Sequence, residues 1–201
     1  MFQFEEKYIL KNKMVEITPL EKFHESELFK ISNTKEIWEH FTENGFGKEN
    51  FTTYISNAIN NRKKHLEYPF IIKDLRINKI AGMTRIYAID NNLKNVKIGH
   101  TWIGKNFQGT GLNKNCKFLL FEFLFEKMHM ERIGFGASSK NIKSIKAMES
   151  VGCIQEGKLR SFLPPLSKSS ERLDIVLLSI LKNEWLTKTK NELQQKLKRY
   201  S

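Results

Sequence analysis

Two glycines one residue apart stand in the run Gln108-Gly109-Thr110-Gly111-Leu112-Asn113, between a β-rich stretch and a strongly periodic apolar one. Glycine lets the chain turn tightly and leaves main-chain N–H groups uncovered. If a helix starts at Leu112, those N–H groups and the positive end of the helix dipole converge on one point. That is an anion site built without side-chain charge. The spacing is not that of a nucleotide P-loop, which needs four residues between its glycines and then Lys-Ser or Lys-Thr. It is not G-x-G-x-x-G either, because Lys114 stands where the third glycine belongs. On spacing alone, a glycine turn ahead of a core helix fits as well.

The surroundings narrow the choice. About thirty residues on come a short strand and then Asn-x-x-Ser, Asn141 and Ser144. The pattern Gln-x-x-Gly-x-(small) after a strand, with this second motif behind it, resembles the GNAT superfamily of CoA-dependent N-acetyltransferases. The runs TWIGKNFQGTGLNKNCKFLLFEFLFE, SSKNIKSIKAMESVGCIQEGKLR and SILKNEW look like the branch related to ribosomal-protein N-terminal acetyltransferases. The likeness is specific over residues 98–160 and loose before residue 70. One position departs: the last motif residue, usually Gly or Ala, is Asn113, and binding survives if its side chain caps the helix rather than obstructing the phosphate.

The resemblance implies acetyl-CoA as acyl donor and a primary amine, of a protein N-terminus or a small molecule, as acceptor, joined by direct attack in a ternary complex. It implies a diphosphate on the N–H groups of Gly109, Thr110, Gly111, Leu112 and Asn113, with Gln108 shaping the loop. It also implies a splay between the strands at 96–104 and 132–138. The pantetheine arm would enter there and pair with Trp102, Ile103 and Gly104, an N–H near Ile103 polarising the thioester carbonyl. Asn141 would hold the pantetheine amide, and Ser144 would sit near the sulfur and protonate the leaving thiolate. Many relatives place a Tyr as that acid four residues before the glycine ending this helix; here the position is Met148. Lys114, Lys143 and Lys146 are candidates for the 3′-phosphate. Trp38, His40 and Phe41 would shape the acceptor entrance.

Other side chains are open to more than one reading. His100 titrates near neutrality and could accept a proton from an ammonium through water, or be a structural histidine. Strand alternation puts it on one face with Ile98 and Trp102. Glu156 and Asp174 lie on the last hairpin and suit ion pairs as readily as acceptor contacts. Cys116 and Cys153 stand in apolar stretches with no His nearby in sequence, so they read as small buried hydrophobes. Neither has a second Cys or His at metal-ligand spacing, so no metal is expected.

Behind these residues the chain alternates period-2 and period-3.6 patterning, β-α-α-β-β-β-α-β-α-β-β-α. Tyr8 to Ile17 reads as one strand. Thr18 and Glu21 have capping-box spacing, with Pro19 at a first helical position. YPFIIKDL, KIAGMTRIYAID and KNVKIGHTWIG suit an antiparallel meander, their breaks at Asn78 and Asn91-Asn92. From Gly109 to Met128 one helical face collects Leu112, Cys116, Leu119, Leu120 and Phe123, with Asn113, Lys114 and Lys117 opposite. The strand–helix–strand step at 96–138 makes a parallel pair by right-handed crossover. Pro164-Pro165 and the polar run 168–171 join a final hairpin, and a basic amphipathic helix ends the chain. The expectation is an α/β (α+β) fold with a mainly antiparallel sheet of six to seven strands. It forms a single domain over 1–201, its core at about 8–181 and its basic helix at 182–201.

Composition sets the outer bounds. The 201 residues are 40% hydrophobic and 28% charged, which excludes disordered and collagen-like classes. No signal-peptide pattern opens the chain. The apolar runs FLLFEFLF and IVLLSIL fall short of the roughly 20 residues a membrane span needs, so a cytoplasmic protein with no membrane partner is expected. The formal net charge is +12. It leaves an alternative from another class, a basic RNA- or ribosome-associated protein on a degenerate version of the same scaffold. The basic tail could also dock on a neighbour in a homodimer.

Overall fold

The structure is a computed structural model that describes residues 1–166 and 170–200; residues 168 and 169 of the 168–171 run expected at the last hairpin lie outside the described residues. Its framework is one eight-stranded open sheet, ordered β1-β2-β3-β4-β5-β6-β8-β7. The strands are β1 (Leu10–Lys11), β2 (Val15–Pro19), β3 (Glu67–Asp74), β4 (Lys79–Asp90), β5 (Asn95–Ile103), β6 (Arg132–Ser138), β7 (Ile154–Leu163) and β8 (Leu173–Leu181). Every neighbouring pair is antiparallel except β5 with β6, the parallel step that the crossover requires.

Eight strands replace six to seven because the stretch read as one strand folds back on itself. Asn12 Oδ1 accepts from the N–H groups of Met14 (2.8 Å) and Val15 (2.9 Å), an Asx turn that splits β1 from β2. The first helix also starts later than the capping pattern suggests. Pro19 ends β2 opposite Phe70, and α1 (Glu25–Ser32) follows a 3₁₀ turn at Lys22–His24. There Glu21 N–H donates to His24 Nδ1 at 3.0 Å.

The helices cover both faces of the sheet. Alternation along β3 sends Phe70 and Ile72 into one core and Ile71 into the other. The first core holds α4 (Leu112–Glu122) and α5 (Ile142–Glu149) with the C-terminal helical segment. The second holds α1, α2 (Lys35–Trp38) and α3 (Lys48–Lys63), with Leu28, Phe51, Tyr54 and Ile55 over Met83 and Trp102. Past Glu122, α4 widens into a π turn at Phe123–Lys127, and its FLLFEFLF run is buried. Gly152, at φ +96°, stops the chain after α5.

The C-terminal segment runs as α6 (Lys182–Glu184), a π turn at Trp185–Thr189, and α7 (Lys190–Leu197). It is tied to α4 at both chemical levels. Trp185 is fully buried among Phe118, Phe121 and Phe125, and its indole N–H donates to Glu126 at 2.8 Å. Lys190 pairs with Glu126 (2.8 Å) and Glu122 (3.1 Å). Among the described residues no helix is long and apolar enough to cross a membrane.

Two stability measurements follow. Trp185→Ala should lower the unfolding free energy by about 3–5 kcal/mol in urea, the range for emptying a buried indole site; a loss under 1 kcal/mol would mean that the C-terminal segment is not docked. Burial acts to raise the Glu25 pKa, but bonds from Lys22 (2.5 Å), Thr52 (2.6 Å) and Lys48 (3.3 Å) outweigh it and hold the group at about 2. A depressed carboxyl contributes stability that is complete above its unfolded value of 4.5 and is lost as pH falls toward 2. Acid titrations should therefore show wild type losing more stability across that window than Glu25→Gln does.

Candidate functional site

The sheet opens at β5. Its parallel ladder with β6 covers only Asn95↔Arg132, Val96↔Ile133 and Lys97↔Gly134, and beyond these the two strands part. The cause lies on the other side of β5. Between the pairs Met83↔Trp102 and Arg85↔Gly99, β4 supplies one residue, Thr84, and β5 supplies two, His100 and Thr101. That is a β-bulge, with His100 held at φ +49°, and a bulge bends its strand and increases its twist.

The extra residue also breaks the alternation expected for Ile98, His100 and Trp102. Val96 and Ile98 face the α4 core, whereas Trp102 enters the α1–α3 core, its ring 5.9 Å from Trp38. His100 packs near Tyr87 (5.6 Å) and Phe41 (6.4 Å). Burial, with the Arg85 charge adding to it, lowers its pKa to about 4. His100 is therefore neutral at pH 7 and a weaker base than an ordinary imidazole.

Where β5 ends, the alternation fixes which main-chain groups look into the opening. Gly104 N–H donates to Ala81 O at 2.8 Å, toward β4, so the N–H and C=O of Ile103 point the other way, into the gap. The Ile103 carbonyl is taken by Gln108 Nε2 at 2.8 Å, which leaves the N–H. Gln108 Oε1 in turn accepts from Lys143 Nζ of α5 at 2.5 Å, so one amide side chain ties the loop to both neighbouring elements.

The loop itself follows a 3₁₀ turn at Lys105–Phe107, and Thr110 Oγ1 donates back to Phe107 O at 2.7 Å. Gly109 (φ +77°) and Gly111 (φ +81°) both adopt the left-handed backbone that favours glycine, and Gly111 is the N-cap of α4. Among the described residues no acceptor reaches the N–H groups from Gly109 to Lys114. They form the unsatisfied start of an eleven-residue helix, turned toward the gap between β5 and β6. Leu112 is buried beneath them. Asn113 does not cap the helix: the N-cap position belongs to Gly111, and the Asn113 Oδ1 is buried without a partner.

Across the gap, Asn141 is the N-cap of α5, its Oδ1 accepting from Ser144 N–H at 3.0 Å. Its amide NH₂ remains available as a donor, and Ser144 stands in the first turn. Gln108, Ile103, the glycine loop and Asn141 are thus brought around one opening that can hold a diphosphate at the helix start and an extended chain between the strands. Other candidates are engaged elsewhere. Glu156 bonds Arg132 and Ser179 (2.7 Å), and Asp174 bonds Ser161 N–H (2.9 Å) and Lys158 (3.1 Å). Cys116 and Cys153 are buried, which pushes their thiols up to about 11 and 12.

Two residues near the opening were not legible beforehand. Lys117, which helical periodicity puts on the solvent side, is only 5% exposed, and its Nζ donates to Thr101 Oγ1 at 2.9 Å. Residues 115–121 of α4 are all buried, because the C-terminal segment covers the outer side of that helix. The ring of Tyr200, at the far end of the same segment, lies against Gly111, where any Cβ would collide with it. No pattern in the sequence joins position 200 to position 111.

Comparison with known proteins agrees with this geometry. YdaF of Bacillus subtilis, provisionally named a ribosomal N-acetyltransferase, is 31% identical over 106 residues, 53% of this chain and 56% of YdaF. An uncharacterized N-acetyltransferase, p20 of Bacillus licheniformis, is 27% identical over 59% of this chain and 63% of its own length. The chain thus spans about three-fifths of the length of these two curated relatives. A GCN5-related N-acetyltransferase from Brucella melitensis has the same fold, with a TM-score of 0.85 at 22% identity over 96% of this chain and 86% of that one. The model of the acetyltransferase (GNAT) domain matches residues 15–154, which include the bulge, the opening and the glycine loop, and the chain belongs to that family.

Proposed function

We propose that this protein transfers an acetyl group from acetyl-CoA to a primary amine by direct attack within a ternary complex. The observation that carries the reading is the row of unpartnered N–H groups from Gly109 to Lys114, at a helix N-terminus beside the gap between β5 and β6. The row suits the coenzyme diphosphate, which supplies charge that no side chain of the loop provides. The gap beyond Lys97 and Gly134 suits the pantetheine arm, with Trp102, Ile103 and Gly104 along one side. The Ile103 N–H would donate to the thioester carbonyl and hold the oxyanion formed on attack, a preorganised contact of a kind typically worth about 10²–10³ in rate. The Asn141 amide would donate to a pantetheine carbonyl, and Ser144 lies close enough in sequence to that cap to reach the sulfur.

The acceptor side is the face of Phe41, Tyr87 and His100. Neutral His100 fits a role in orienting an amine or its water better than one as a strong base. Among solved structures of the same fold, a spermidine N-acetyltransferase from Vibrio cholerae was captured with CoA and spermine, at a TM-score of 0.71 and 16% identity over 88% of this chain and all of that one. It supports a cleft of this kind admitting an amine; the choice among polyamines, protein N-termini and other amines lies in the acceptor loops. The reading as a basic RNA- or ribosome-associated protein finds no support in the family match, which is to an acetyltransferase domain.

Gly109 is the position for the test, because a Cβ there meets nothing within 4 Å, whereas one at Gly111 strikes Tyr200. Calorimetry should show acetyl-CoA binding to wild type and to Gly109→Asn within about tenfold of each other. Gly109→Asp, equal in shape but negative, should bind at least about tenfold more weakly than Gly109→Asn, one carboxylate–phosphate repulsion being worth about 1.4 kcal/mol or more at close range. Equal affinities for the two variants would overturn the diphosphate site. An acetylation screen over an amine library then assigns the acceptor, and wild type inactive on every amine despite binding acetyl-CoA would overturn the transferase reading.

A further inference from the structure

Lys117 is a buried lysine with no counter-ion. It projects from the second turn of α4 to the region where β5 and β6 have just parted. Nζ is 2.9 Å from Thr101 Oγ1 on β5 and 5.9 Å from the centre of the Phe135 ring on β6. Both residues lie past the last paired positions, Lys97 and Gly134. Thr101 is in turn fixed by Thr84, hydroxyl to hydroxyl at 2.7 Å. Among the described residues no carboxylate lies within ion-pair distance of Lys117, and Thr101 is its one hydrogen-bond acceptor.

Protonated, it would have three donors, and the protein offers it a single neutral acceptor. An arrangement of that kind is costly unless an anion arrives to complete it. The titratable neighbours do not supply one, since the Cys116 and Cys153 thiols are held neutral by burial. Burial correspondingly lowers the Lys117 pKa.

We infer that Lys117 is a catalytic residue that meets the coenzyme sulfur in the gap and stabilises it as the thiolate when it leaves. The inference rests on the acetyl-CoA reading above and assigns the task that Met148 cannot perform. In the step itself, the amine nitrogen forms a bond to the acetyl carbon and loses a proton to solvent. The carbon–sulfur bond breaks, and its electron pair stays on sulfur as a thiolate paired with the Lys117 ammonium. That thiolate departs with CoA or takes the Nζ proton, which solvent then restores. A cation beside a thiol is the general device by which proteins favour its thiolate near neutral pH.

The test is the ultraviolet absorption of thiolate when free CoA is mixed with protein at pH 7, acetyl-CoA serving as the blank and calorimetry measuring how much coenzyme is bound. Wild type should show the thiolate band in proportion to bound CoA. Lys117→Met, which keeps the length and removes the charge, should bind CoA and acetyl-CoA within a few fold of wild type yet show no band, and its kcat should fall at least about tenfold with little change in KM. Its melting temperature should hold or rise, because a buried polar group with a single partner has been replaced by an apolar one. A second variant, Lys117→Arg, should keep part of the band. Bound CoA without a band in wild type, or equal bands in wild type and Lys117→Met, would overturn the assignment while leaving the acetyl-CoA reading intact. No binding of CoA or acetyl-CoA to wild type would overturn both.

Discussion

One extra residue in β5 governs the site. A two-against-one mismatch at His100 and Thr101 bends the strand after its first three parallel pairs with β6, and an eight-stranded sheet thereby opens in its middle. The opening exposes the outward main-chain groups of Ile103 and gives an extended ligand an edge to pair with. It also reverses which face each later residue of β5 occupies, so Trp102 joins the α1–α3 core and Thr101 meets Lys117. Without the bulge, β5 and β6 would be free to zip together and the glycine loop would present its N–H groups to solvent alone.

The same constraint explains why the polar groups sit as they do. A sheet interrupted in its interior leaves main-chain donors and acceptors unpaired where water is scarce, which is expensive unless side chains or ligands complete them. Gln108 completes the Ile103 carbonyl and is itself held by Lys143. Asn141 completes the start of α5. What is left over, the N–H groups of the glycine loop, the Ile103 N–H and two donors of Lys117, is a set of donors without acceptors. Such a set selects an anionic, acceptor-rich ligand.

The C-terminal segment belongs to this economy although it lies outside the stretch matched to the family. By burying Trp185 against α4 and laying Tyr200 on Gly111, it turns an amphipathic helix into one enclosed along residues 115–121. Lys117 points instead to Thr101 and Phe135 and is enclosed between the helix and the sheet, where a positive charge would act most strongly on a neighbouring sulfur.

The sequence by itself determined the meander of β3 to β5, the parallel crossover through α4, the glycine loop at a helix start and a second helix beginning near Asn141. Each of these depends on residues close in the chain, through glycine conformations, period-2 and period-3.6 burial, and capping. It could not show the bulge at His100, because no local pattern marks which of two strands carries the extra residue. It misplaced Lys117 on the solvent side because Thr101 and Phe135, which receive it, are brought beneath α4 only by the fold, and it said nothing of Tyr200 over Gly111 because that contact joins positions 89 residues apart. Tertiary structure alone decided which charges are buried, which strand edge stays open, and which donors still lack a partner.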